Sequence, residues 1–422
     1  MPLTPKLVTT LGDYDRKTFL GDLIAGTTVA MVALPLSIAI AIASGAAPAS
    51  GIVTAIVAGF LISLLGGSRV QIGGPTGAFI VIVYGVIADH GYHGLVLATL
   101  MAGVILLIAS VFRAGRLIAL VPEPVVNGFT IGIGIVIATS QIKDGLGLSV
   151  AQVPAGFLPK LHALWAARDT ASGPSAALFA LSIVLIVAFR RLAPRLPGVV
   201  LSVALVSALA AVLAVPVDTI AARYGNVPAG LPEPIIPSVS LARLIELLPS
   251  ALVIAFLAGV ESLLSALVAD RMIGSAHRPN AELLAQGAAN LGSSLFGGLP
   301  ATGAIARTAT NVRAGGRTPV AGLIHALVIL TAASLGAGWI GALALPALAA
   351  VLVVTAFNMT EPPRWRSHLA LPLPDQLLLW LTLILTVVTD LTVAIGVGVA
   401  LGLGLRLLRR ESSPPDWHAP DR

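Results

Sequence analysis

Ile24 to Ala43 is a run of 20 residues without a single charge. At about 1.5 Å of helix rise per residue it matches the roughly 30 Å hydrocarbon core of a bilayer. Such runs recur to the end of the chain, which is 57% hydrophobic and only 10% charged, with a mean hydropathy of +0.97. Soluble domains carry about 25% charged residues. A chain this apolar cannot hide its surface from water and belongs in a membrane. Cysteine is absent, which excludes disulfides, thiol catalysis, thiolate metal sites and S-acylation. The formal charge of +6 reads as loop charge facing anionic lipid, not as a nucleic-acid footprint. Met1 to Phe19 has no apolar core, so no cleavable signal peptide is expected.

Fourteen spans are expected, near 24–43, 51–66, 75–88, 95–112, 124–142, 175–191, 198–215, 248–269, 281–296, 300–312, 319–336, 339–358, 373–389 and 391–408. With the N-terminus inside, alternation puts nineteen of the 25 basic residues inside. It puts five outside (Lys143, Lys160, Arg168, Arg223 and Arg243) and leaves Arg307 in the membrane. This predicts a multi-pass membrane protein with both termini cytoplasmic. Ser149 to Thr170 is expected to hold an interfacial helix outside. The expected layout is a segment 1–19, seven spans over 20–215, an external loop over 216–246 that contains Pro232 to Pro237, seven spans over 247–410, and a tail over 411–422.

The spans near 75–88 and 300–312 are too short to cross alone, and each follows an extended, Gly-rich lead, Val70 to Gly74 and Gly297 to Pro300. Their motifs match: Gly-Gly-Pro-Thr-Gly-Ala-Phe (73–79) resembles Leu-Pro-Ala-Thr-Gly-Ala-Ile (299–305), with Gly77 and Gly303 separated by 226 positions. The same offset carries Pro35 onto Glu261. A repeat of seven spans is odd, so the second copy must be inverted. Short broken segments in such an architecture point to a transporter's binding site. The fold class expected is therefore an all-α polytopic membrane protein, a 7+7 inverted repeat with two half-helices preceded by short strands.

Inversion brings the two half-helix starts together near the midplane. Their N–H groups, at Thr76, Gly77 and Ala78 and at Gly303, Ala304 and Ile305, make an anion site. Gly77 and Gly303 let a ligand approach the backbone; the competing reading is tight helix packing. Arg307 is an intramembrane cation one turn beyond Gly303, either a substrate ligand or the partner of Glu261 in an internal ion pair. Glu261 is the lone acid in Leu247 to Ala269 and the candidate for proton coupling; the competing reading is a structural hydrogen-bond partner. Ser265 stands four residues further on the same face. Pro35 reads as a tolerated kink or as part of the site. Asp390 reads as a helix cap, and His325 as packed and neutral.

Three stretches resemble the sulfate permease (SulP) family: Pro279 to Gly322, Val121 to Ile135 and Asp390 to Leu403. The resemblance implies fourteen inverted spans, with a core of spans 1–4 and 8–11 moving against a gate of spans 5–7 and 12–14, in a homodimer. It implies a substrate site of Pro35 to Ser37, Thr76 to Ala78, Glu261, Ser265 and Gly303 to Arg307, Ala306 included. Ala304 and Ala306 stand where members of the family commonly carry serine, so two hydroxyl donors are missing. The family's cytoplasmic STAS domain is expected after the last span, and the chain ends at Arg422 without one. The expected function is secondary active transport of a small anion, by proton-coupled symport of a carboxylate such as a C4-dicarboxylate. Bicarbonate is the nearest rival, and sodium-coupled or exchange transport of bicarbonate or sulfate is the alternative. An anion channel and a non-transporting scaffold or motor are the competitors from other classes. No cofactor or metal is expected, and an enzyme least of all, since no nucleophile–base pair appears.

Overall fold

The computed structural model describes residues 3–12, 14–115, 122–150, 153–194, 196–226, 228, 230–234, 236–389 and 391–409. The tail 411–422, the Asp390 cap and four of the basic residues counted for topology (Arg116, Arg195, Arg410 and Arg422) lie outside the described residues.

Each expected span falls on a helix. The first half holds α1 (Arg16–Ala43), α2 (Pro48–Leu65), α3 (Ile80–Val111), α4 (Glu123–Ser140), α5 (Gly173–Leu192) and α6 (Gly198–Val212). The second holds α7 (Leu241–Ile273), α8 (Pro279–Leu295), α9 (Ile305–Arg313), α10 (Val320–Gly341), α11 (Leu345–Met359), α12 (Leu373–Val388) and α13 (Leu391–Arg409). The third and fourth expected spans are two helical segments within α3 that meet at a non-helical Gly91, whose φ of 68° only glycine adopts without strain. Eight helical stretches among the described residues are long and apolar enough to cross a membrane. A short helix, Phe157–Ala166, lies within the stretch Ser149 to Thr170.

Local chemistry sets the ends. Asp15 caps α1 by accepting from the Thr18 N–H at 2.8 Å. Proline occupies the first turn of α2, α4, α5, α8, α11 and α12, where its missing N–H costs nothing. Gly274, left-handed, closes α7.

The helices sort into two packed groups. α1, α2, α3, α7, α8, α9 and α10 form one, and α4, α5, α6, α11, α12 and α13 the other. The first is held by close backbone approach, as expected where lipid removes the hydrophobic drive between helices. A Cβ on Gly103 of α3 would stand 2.9 Å from the Gly287 carbonyl of α8, and a Cβ on Gly287 would stand 2.9 Å from the Gly103 carbonyl. These groups match the expected core and gate.

Two strands lie inside the core group. β1 (Gly73–Gly74) and β2 (Thr302–Gly303) pair antiparallel, Gly73 opposite Gly303 and Gly74 opposite Thr302. Under the 226-residue offset Gly73 corresponds to Leu299 and Gly303 to Gly77. Those two positions are not paired with each other, and β2 falls just past the expected extended lead Gly297 to Pro300 rather than within it.

Candidate functional site

The strand pair sets two helix starts side by side. β1 runs through Pro75 and Thr76 into a 3-10 turn (Gly77–Phe79) and then α3; β2 runs through Ala304 into α9. Neither start has a side-chain cap. Thr76 stands in the capping position, yet its hydroxyl donates to Glu261 Oε2 at 3.0 Å. Ala304 has no hydroxyl to offer. The first-turn N–H groups therefore keep their partial positive charge.

The structure redraws part of the expected donor set. The Ala304 N–H is spent on the Ile72 carbonyl at 2.9 Å, so the free turn of α9 begins at Ile305. Ile305 and Ala306 are exposed, Thr76 and Glu261 are half-buried, and Pro35, Ser37, Gly77, Ala78, Ser265, Gly303, Ala304 and Arg307 are buried.

Arg307 is 2% exposed. The ion pair with Glu261 does not form: among the described residues Arg307 makes no ion pair. Its Nη2 donates to Ser37 Oγ at 2.9 Å and to the Pro75 carbonyl at 3.1 Å, and its Nη1 to the Gly73 carbonyl at 3.4 Å. Nε has no partner. One guanidinium thus ties α9 to β1 and α1, and its charge meets only neutral groups. Among the described residues Glu261 likewise makes no ion pair, and its hydrogen bond comes from Thr76.

Other candidates lie further from the gap. Ser265 Oγ meets Thr308 Oγ1 at 3.3 Å, and Thr308 Oγ1 accepts from the Ile72 N–H at 3.1 Å, so Ser265 braces the strand from behind. Pro35 lines an apolar groove of about 230 Å³ shared with Met31, Val203 and Trp339. His325 is fully buried, with neither ring nitrogen partnered.

The two glycines have different reasons to be small. A Cβ on Gly303 would stand 1.4 Å from Gln71 Nε2, so packing alone forbids a side chain there. A Cβ on Gly77 would meet Met359 Sδ at 3.1 Å and Ile137 Cδ1 at 3.3 Å, the flexible tips of α11 and α4. Gly77 thus faces the gate group. Gly77→Val is expected to cut uptake about tenfold or more while costing about 1 kcal/mol of stability. Unchanged uptake by a folded, monodisperse Gly77→Val protein would remove this turn from the site.

A buried polar network behind the strands is not visible in the sequence motifs. Gln71 Nε2 donates to Ser262 Oγ at 2.9 Å, Ser262 Oγ to Glu282 Oε1 at 2.8 Å, and Gln286 Nε2 to both, while the Gly67 N–H donates to Glu282 Oε2 at 2.9 Å. Asn290 grips both polar atoms of the Ala301 backbone. The available signal was the spacing of Glu282, Gln286 and Asn290, four apart on one helix face.

Two inverted half-helices meeting end to end between a core and a gate define a class, the membrane transporters built on inverted repeats. The sequence profile of the sulfate permease family matches residues 19–375. The chain is 42% identical over 379 residues to a putative sulfate transporter of Bacillus subtilis, YvdB, covering 89% of this chain and 71% of that one. It is 32% identical over 385 residues to the bicarbonate transporter BicA of Picosynechococcus, covering 88% and 67%. The solved transmembrane domain of a cyanobacterial BicA superposes with a TM-score of 0.81 at 28% identity, covering 92% of this chain and 98% of that one. The chain belongs to the sulfate permease family. It is a multi-pass membrane transporter and not an enzyme.

Proposed function

We propose that this chain is a secondary active transporter of a small planar anion, carried with a proton by alternating access between two faces of the membrane. The observation that carries the reading is the pair of uncapped helix starts joined by β1 and β2, with buried Arg307 behind them. The anion sits against the N–H groups of Gly77, Ala78, Ile305 and Ala306. Glu261, hydrogen-bonded to Thr76, takes the proton. The absence of hydroxyls at Ala304 and Ala306 favours a planar carbon anion, a carboxylate such as a C4-dicarboxylate, over tetrahedral sulfate.

The relatives favour bicarbonate or sulfate as substrate, since one is named a bicarbonate transporter and another a putative sulfate transporter; the second reading is transport of either by sodium coupling or exchange. The proposed setting is a homodimer of fourteen-span protomers in a bacterial cell membrane, with both termini cytoplasmic and 216–246 external. Uptake of labelled fumarate, bicarbonate and sulfate into proteoliposomes, under imposed proton and sodium gradients, separates the two readings.

A further inference from the structure

We propose that Lys160 is a second anion station, a cation that receives the substrate at the mouth of the path on the face opposite Arg313. The inference rests on the anion-transport reading above and adds a residue outside the paired helix starts.

Lys160 lies on the short helix Phe157–Ala166, in the connection between α4 and α5, and is only 4% exposed. Its Nζ donates to Ser140 Oγ at 3.0 Å and stands 5.2 Å from the centre of the Tyr84 ring. Among the described residues it makes no ion pair. The nearby charges are committed elsewhere: Lys143 donates to the Val150 carbonyl, and Asp144 pairs with Arg223. Burial pushes the Lys160 pKa below its ordinary value.

The two partners of this ammonium give it a place on the path. Ser140 ends α4, the gate helix whose Ile137 faces Gly77. Tyr84 lies on the core helix α3, seven residues beyond Gly77, about 10 Å along the axis at about 1.5 Å per residue. Lys160 therefore stands on the seam between core and gate, two helical turns above the helix starts. The Tyr84 hydroxyl donates to the Val153 carbonyl, which closes the same seam.

A buried cation on neutral partners is a poor seal, because an apolar side chain of similar length would fill the seam without the cost of desolvating a charge. The charge gains a use when core and gate part. Tyr84 then leaves with α3, the ammonium meets water, and a small anion approaching the gap becomes the counter-ion it lacks. The closed seam stores this cation between transport cycles.

The test is sided kinetics in proteoliposomes of defined orientation, using whichever of labelled bicarbonate, sulfate and fumarate the wild type takes up. Lys160→Gln and Lys160→Met are expected to raise KM about five- to tenfold for anion supplied at the Lys160 face and to leave KM at the other face within about twofold. Lys160→Arg should stay within about twofold at both faces. In the two neutral variants KM at the Lys160 face should lose its rise with ionic strength. An unchanged KM in both neutral variants, or equal changes at the two faces with lowered thermal stability, would overturn the proposal. Absence of uptake by the wild type would instead sink the transport reading beneath it.

Discussion

Arg307→Ala is expected to abolish anion uptake, by about a hundredfold or more, while leaving thermal stability in detergent unchanged or raised. A cation in a membrane core costs about 2.5–3.5 kcal/mol on insertion scales, and Arg307 recovers this only from neutral partners, the Ser37 hydroxyl and the carbonyls of Gly73 and Pro75. Removing it leaves two carbonyls short of a donor, at about 1–3 kcal/mol each, but also removes the desolvated charge. Ser37 is not orphaned, because its hydroxyl already donates to the Ala33 carbonyl at 2.7 Å. The opposing terms nearly cancel, so the folded state has little to lose. The bound anion loses a full positive charge in a site where water is scarce. Arg307→Lys should restore part of the affinity, since it returns the charge without the fork that reaches both Ser37 and Pro75. The check is substrate affinity set beside melting temperature for both variants. A stability loss with unchanged affinity would make Arg307 a brace only.

Glu261→Gln is expected to remove the pH dependence of uptake. An ionised Glu261 repels an arriving anion by about 4 kcal/mol at about 4 Å and an effective dielectric near 20. Protonation removes that repulsion, so proton and anion bind together, and linkage makes each raise the affinity of the other by the same factor. Wild-type uptake at limiting substrate should then rise up to about tenfold per unit fall in pH between about pH 8 and pH 5. Glutamine keeps the Thr76 hydrogen bond through its amide oxygen and is neutral at every pH, so its rate should be flat across the same range. A wild-type rate that ignores pH would reject Glu261 as the coupling group.

Much of this arrangement is legible in the chain because it is written locally. The Gly77 and Gly303 motifs repeat at a fixed offset beside segments too short to span, and that coincidence points to the two helix starts; the pairing of their leads, and the place of β2 at Thr302–Gly303 just past the expected Gly297 to Pro300, come only with the fold. The register of Gly73 opposite Gly303 was not legible, because a repeat offset is compatible with any antiparallel register. The partners of Arg307 were not legible, since Ser37 and Pro75 lie more than 230 positions away and no local pattern marks which neutral groups a guanidinium will choose. An acid at Glu261 was the natural expectation for a charge in lipid, and the structure satisfies Arg307 with a hydroxyl and carbonyls instead. Gly303 was read for its ligand, while Gln71 supplies a packing reason that only the folded chain reveals. The break expected between 88 and 95 falls at Gly91, where two helical segments meet without a loop of any length, a detail that the hydropathy pattern does not carry.

The central claim is that an anion held between the two helix starts moves with a proton and against its own gradient. The direct measurement is the time course of labelled fumarate, bicarbonate and sulfate uptake into proteoliposomes under an inward proton gradient, and separately under an inward sodium gradient. The account predicts that the proton gradient drives one of these anions transiently above its equilibrium level, that sodium does not, and that Glu261→Gln abolishes the overshoot. Uptake that never exceeds equilibrium, or an overshoot that follows sodium and ignores protons, would contradict it.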